Sequence, residues 1–334
     1  MARRMALVLG ATGGIGGEMA RQLTAAGWMV RALTRDSARL GAADGWEGLK
    51  GDALRRGDVV GAAEGASLIV HAVNPPGYRN WPQTVLPMLD NTLAAARASG
   101  ARIVLPGTVY NYGPDAFPLI DEDSPQNPTS RKGAIRVEME RRLRAAAEQG
   151  VRSLIVRSGD FFGPRAANNW FSQGLVKPGK PVTVVTNPGA PGVGHQWAYL
   201  PDVAATMMAL IERESDLAPF ARFHMGGHWD GDGRTMVGAI GRAVGRPDLN
   251  VKRFPWWLLS VASPVVPLFR ELREMRYLWQ TPVRLDNRRL VRFLGKEPHT
   301  PLDEAVRATL IGLGCIAVDS AARSPEAHET ARAT

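Results

Sequence analysis

Apolar residues fall in short runs separated by longer polar stretches of helical length. Ala6-Leu-Val-Leu9 predicts a first strand, the turn Gly10-Ala-Thr-Gly-Gly-Ile-Gly16 follows, and Glu18–Ala26 predicts a helix. Trp28–Thr34, Trp46–Asp52, Ser67–Val73, Arg102–Pro106 and Val151–Arg157 predict further strands. Between them, Leu54–Glu64, Pro82–Ser99 and Arg131–Gln149 predict helices. The Ser67–Val73 run is almost wholly apolar, as a strand covered on both faces must be. Strands alternating with helices predict an α/β fold with a parallel sheet. Right-handed crossovers then put ligands beyond the carboxyl ends of the strands.

After residue 165 the alternation weakens. Val182–Val185 and Ala221–Met225 read as strands, the latter returning to the main sheet, and Leu200–Glu212 as a helix. The expected division is a dinucleotide-binding region over 1–165, with segments near 195–225 rejoining it. A smaller lobe over the sheet's carboxyl edge covers 166–318, and 319–334 forms a disordered polar tail.

Strand, turn and helix at the amino end form a phosphate cradle. Glycine lets the main chain bend and approach an anion closely, and the helix N-terminus offers unpaired N–H groups to it. Gly10, Thr12, Gly13, Gly14, Ile15 and Gly16 are the expected diphosphate contacts, against the plain alternative of a tight turn. At the end of the second strand, Leu33-Thr-Arg-Asp36 has Thr34 where an NAD site carries an acid, and Arg35 next to it. Arg35 suits a 2′-phosphate, so NADP(H) is favoured, with NAD(H) as the alternative. Asp36 either caps the turn or reaches the ribose.

Composition changes this picture little. Of 334 residues, 45% are hydrophobic and 22% charged, within the ordinary range for a soluble protein. The net charge of +9 favours anionic partners, but the basic residues are dispersed. The expected partner is a small-molecule substrate, not nucleic acid. The single cysteine, Cys315, excludes a disulfide framework and fits a reducing, cytoplasmic setting. No signal peptide is expected. Phe254–Phe269 is uncharged but short for a membrane span and broken by prolines. It predicts a buried or pocket-lining helix pair, or else an interfacial membrane contact, and no integral span. His195, His224 and His228 lack metal-ligand partners at convincing spacing, so no metal is expected.

Several segments together resemble the extended short-chain dehydrogenase/reductase family. They are Gly10–Gly16, Gly51-Asp52, His71-Ala-Val73, Thr108-Val-Tyr-Asn-Tyr-Gly113, Ile155–Pro164 and Tyr199–Ala204, with Asp286–Leu290 and Leu294–Glu304 near the end. The similarity spans about residues 5 to 313 and rests on motif order. It implies a doubly wound Rossmann-type sheet, a nicotinamide dinucleotide, Asp52 and Ala72 beside the cofactor, and a C-terminal lobe, 166–318, that selects the substrate. For Asp52, capping of the next helix is the alternative. A homodimer through two helices is the assembly such proteins adopt, although Arg residues would make that face polar here.

The resemblance also implies a catalytic Ser/Thr, followed by a Tyr and, four residues later, a Lys on a helix. Thr108 fits the first. The others are missing, because no tyrosine occurs between Tyr112 and Tyr199. Lys132 falls at the tyrosine position and Arg136 at the lysine position, one helical turn apart. A lysine of ordinary pKa ~10.4, lowered by burial and a guanidinium, serves as a general acid. Alternatively both belong to an exposed charged face with Arg131, Glu138, Glu140, Arg141, Arg142 and Arg144, or bind cofactor without catalysis. Tyr78, Tyr110, Tyr112 and Asp160 are other candidate acids or packing groups. The expected chemistry is an NAD(P)-dependent oxidoreductase on a carbonyl or alcohol of a small organic or sugar-like substrate. The rivals are a sugar-nucleotide epimerase or dehydratase, and a non-catalytic dinucleotide sensor.

Overall fold

A computed structural model describes residues 4–36, 45–75, 81–166, 169–257 and 273–317. In chain order the elements are β1 (Met5–Leu9), α1 (Gly14–Ala25), β2 (Met29–Thr34), β3 (Glu47–Lys50), α2 (Arg56–Ala62), β4 (Leu68–His71), α3 (Trp81–Ser99) and β5 (Arg102–Gly107). The short β6 (Leu119–Ile120), α4 (Arg131–Ala147), β7 (Ser153–Arg157), β8 (Asp160–Phe162), β9 (Val184–Asn187), β10 (His195–Tyr199) and α5 (Leu200–Ile211) follow. The chain continues through β11 (Phe220–His224), β12 (His228–Asp230), α6 (Thr235–Ala243), β13 (Asn250–Arg253), β14 (Arg284–Leu285), α7 (Arg288–Leu294) and α8 (Leu302–Gly312).

Seven strands form one sheet in the order β11-β7-β5-β4-β1-β2-β3. Every pairing within it is parallel. β1 and β4 are buried along their whole length, because helices cover both faces. Met19, Leu23, Val203 and Met207 of α1 and α5 fill one side of the sheet. Val59, Leu89, Leu93, Ile135 and Leu143 of α2, α3 and α4 fill the other. The doubly wound Rossmann-type sheet read from the sequence is therefore the observed fold, including the return of the predicted 221–225 strand as edge strand β11.

The order reverses between β1 and β4. Such a reversal opens a crevice at the strands' carboxyl ends where nucleotides bind, and the glycine turn after β1 lies there. Beyond the sheet, Phe162, Phe171, Trp197, Ile240, Trp279 and Val306 belong to a separate, aromatic-rich core. Two of the strands that escaped the pattern show why. All four residues of β13 are exposed, which leaves no alternation to read. β10 is fully buried but begins His195-Gln196, so hydropathy does not mark it. Tyr78, the apolar stretch beyond Trp257 and the 319–334 tail lie outside the described residues.

Candidate active site at the carboxyl edge of the sheet

Gly10 leaves β1 with φ +92°, a left-handed conformation that L side chains avoid. A Cβ there would lie 2.6 Å from the Ala72 carbonyl oxygen, and one on Gly16 would lie 2.2 Å from that of Gly10. These glycines let α1 start tight against the ends of β1 and β4. Thr12 and Gly13 are exposed, while Gly14 and Ile15 are half-buried. Gly13 is the N-cap, with no side chain capping the helix. The first-turn amides have no acceptor within the helix, and the chain just before them is exposed at Thr12 and Gly13. This is an anion cradle, and it fits the diphosphate of a dinucleotide.

The adenosine side is less decided. Arg35 is exposed at the end of β2, with no ion pair among the described residues. The Thr34 hydroxyl donates to the Asp36 carbonyl at 3.1 Å. Asp52 Oδ1 accepts the Leu54 N–H at 3.0 Å, so its carboxylate does serve the turn into α2. Ala72 is half-buried just past β4, where its Cβ faces Gly16.

On the other side of the crevice lie the ends of β5 and β7. Gly107 and Arg157 are register partners, so the residues after them, Thr108 and Ser158, emerge side by side. Both hydroxyl oxygens are buried and have no hydrogen-bond partner. Burying a hydroxyl unpaired is costly, which marks this edge as a place for a ligand's polar atom. α4 begins against the same loop. Ser130 caps it by accepting the Gly133 N–H at 3.0 Å, and a Cβ on Gly133 would fall 2.1 Å from the Tyr110 carbonyl oxygen.

Lys132 is only 3% exposed. Its Nζ lies 5.9 Å from the centre of the Trp81 ring and the Arg136 guanidinium 5.4 Å. Arg136 is half-buried. The exposed-face reading therefore fails for Lys132, and for Glu140, which is also buried. It survives for Arg131 and Arg141. The reason is the phase of the helix. Lys132, Ile135, Met139, Leu143 and Ala146 share the face turned to the sheet, and hydropathy alone places a lysine outward. Nearby, His71 donates from Nδ1 toward Thr92 Oγ1 at 2.8 Å, since that hydroxyl is spent on the Met88 carbonyl. Burial, reinforced by the Arg136 charge, pushes the His71 pKa down to about 3.

A second buried network holds the edge in place. Glu140 accepts from Arg157 Nη2 at 2.5 Å, Asn111 Nδ2 at 2.8 Å and Gln126 Nε2 at 2.9 Å. Arg157 also donates to the Thr108 carbonyl and to His224 Nε2. His224 Nδ1 donates to the Ile120 carbonyl, so its Nε2 accepts from Arg157 and from the Tyr112 hydroxyl. Burial holds His224 well below its usual range and raises Tyr112. Tyr112, a candidate acid in the sequence, is thus a structural part of this network. The sequence reading missed the network because its members are scattered along the chain. Its one visible signal was an arginine closing an otherwise apolar strand.

Asp160 and His195 also meet only in the fold. β8 and β10 pair in parallel, bringing His195 Nε2 to 2.9 Å from Asp160 Oδ2. The imidazole stacks on Trp279 at 3.7 Å between centroids. Tyr277 stacks on Phe117, and its hydroxyl is buried without a partner. Burial and the Asp160 charge raise its pKa to about 12. The buried Trp279 Nε1 likewise has no partner, so this aromatic cluster holds two unspent polar atoms.

The model of the NAD dependent epimerase/dehydratase family matches residues 6–226. The chain belongs to that family. Solved structures related to this family member show its fold at low identity. MoeE5 in complex with UDP-glucuronic acid and NAD is 20% identical, covering 92% of this chain and 98% of its own, with TM-score 0.69. UDP-glucose 4-epimerase from Thermotoga maritima with UDP-glucose is 15% identical, covering 92% and 97%, with TM-score 0.70. WbmH from Bordetella bronchiseptica in complex with NAD+ is 18% identical, covering 93% and 98%, with TM-score 0.66. No curated protein matches the chain. Among the described residues, no helix of this family member is long and apolar enough to cross a membrane.

Proposed function

We propose that this family member is an NAD(P)-dependent oxidoreductase, preferring NADP(H), that acts on a carbonyl or alcohol of a sugar-like substrate. The observation that carries the reading is the buried Lys132 in the first turn of α4. It stands where the family's tyrosine belongs, beside the edge that holds the unpartnered Thr108 and Ser158 hydroxyls. The uncapped start of α1 holds the diphosphate, and Arg35 the 2′-phosphate. A bound nicotinamide would supply or accept the hydride.

The rest of the chemistry belongs to the chain. Thr108 Oγ1 holds the reacting substrate oxygen. Lys132 Nζ gives that oxygen its proton during reduction and takes it during oxidation. Arg136 steadies the ribose or a phosphate. Asp160, His195, Tyr277 and Trp279 receive a hydroxyl-bearing ring, an assignment consistent with the sugar nucleotides named for MoeE5 and the Thermotoga epimerase.

The test is NADPH oxidation by the tag-free protein against aldehydes, ketones and sugar nucleotides. Lys132→Met should lower kcat at least about 100-fold while leaving dinucleotide affinity within a few-fold. Unchanged turnover removes Lys132 from the chemistry. Arg35→Ala should weaken NADPH relative to NADH by about tenfold or more, the worth of one charge-assisted contact. A preference that does not move removes Arg35 as the clamp. Dinucleotide binding without turnover on any substrate favours the non-catalytic sensor.

A further inference from the structure

The fold brings together three ligand-type side chains that spacing along the chain keeps far apart. Asp202 lies in the first turn of α5, His228 opens β12, and His299 precedes α8. One ligand atom from each lies within 4.8 Å of the other two. His228 is 7% exposed, and its Nε2 is buried with no hydrogen-bond partner. Its ring is fixed on both sides. Phe162 meets it edge-on at 5.7 Å, and the His299 ring lies 4.4 Å away. Gly227 before it takes φ +52°, where a Cβ would strike the Trp197 carbonyl oxygen at 2.4 Å.

The carboxylate is oriented too. Thr300 donates its N–H to Asp202 Oδ2 at 2.8 Å and its hydroxyl to Oδ1 at 2.7 Å. Each oxygen keeps a lone pair. Hydrogen-bonded carboxylates and packed imidazoles are how proteins aim ligands at a metal.

We infer that Asp202, His228 and His299 form a site for a zinc-like divalent cation with water in its remaining position. Two imidazoles and one carboxylate suit Zn2+ or Co2+ over Mg2+. A tetrahedral zinc with bonds near 2.0–2.1 Å needs ligand atoms about 3.3 Å apart. The three must therefore draw inward, and the exposed His299 is free to supply the movement. The bound ion ties the segment before α8 to the start of α5. α5 in turn packs on α1, where the Pro201 carbonyl accepts from Gln22 at 2.9 Å. The ion's effect is thus to stabilise the seat of the glycine turn, without a part in hydride transfer.

The experiment uses tag-free full-length protein, stripped with chelator and dialysed. Zn2+ and Co2+ are titrated by calorimetry, with Mg2+ as the contrast, and thermal unfolding is followed at each metal concentration. The expected result is one Zn2+ per chain, a rise in the unfolding midpoint with free Zn2+, and Co2+ absorption that Zn2+ displaces. His299→Ala, at an exposed position, should fold normally and bind Zn2+ about 100-fold more weakly. Asp202→Asn should do the same if it folds. Absence of stoichiometric Zn2+ binding overturns the inference, as does a His299→Ala protein that binds as the wild type does. Either outcome means that the two histidines only pack against each other.

Discussion

Replacing Glu140 by Gln removes one charge from a deeply buried ion pair, Glu140 with Arg157. Arg157 is 1% exposed, and Glu140 6%. Three donors converge on the carboxylate, from Arg157, Asn111 and Gln126. A glutamine offers one oxygen and one NH2 group, so at least one of those donors would face another donor. The guanidinium would meanwhile stay buried without its countercharge. Breaking a buried pair from one side costs about 3–5 kcal/mol, a large part of a total stability of roughly 5–15 kcal/mol. With a urea slope of about 3 kcal/mol/M, the midpoint should fall by about 1 M or more. The double variant Glu140→Met, Arg157→Met should lose less than the worse single, because no unpaired charge stays buried, but not recover fully, since Asn111 and Gln126 lose their acceptor. The two residues touch, so their effects should not add. Urea unfolding followed by tryptophan fluorescence and far-UV dichroism measures all four corners of the cycle. A single-variant shift below about 0.3 M, or a double variant no better than the worse single, would refute this account of the network.

Two further outcomes follow from the geometry. Gly16→Ala puts a methyl 2.2 Å from the Gly10 carbonyl oxygen; it should cost at least about 2 kcal/mol and abolish dinucleotide binding. Gly57→Ala, in α2 with nothing within 4 Å of its Cβ, should be neutral or stabilise by up to about 1 kcal/mol; equal effects in calorimetric unfolding would contradict the packing argument. His71, held neutral down to about pH 3 against an ordinary 6.5 first by burial and then by Arg136, binds its proton more readily in the unfolded chain. Its contribution is therefore intact above pH 6.5 and lost as pH falls toward 3, by up to about 5 kcal/mol. His71→Leu should flatten that acid limb, and an unchanged limb would exclude His71 as its source.

The sequence by itself determined the sheet and the tight glycine turn after β1, since both depend on local patterns. A buried central strand needs an unbroken apolar run, and Leu68-Ile-Val supplies it. A helix seated on a strand end needs residues without Cβ, and Gly10 and Gly16 supply those. The alternation of such units leaves little choice but parallel strands joined by crossovers. The direction of each polar side chain was not legible in the same way. Lys132 and Glu140 look like members of a charged surface, and only the packing of α4 on the sheet turns them inward. Asp160 with His195, and Asp202 with His228 and His299, are joined by strand pairing and loop return across long stretches of chain. Hydrophobic periodicity fixes which face of an element is buried. It carries no information about which polar groups from distant elements meet beneath that face, and that pairing is decided when the elements dock.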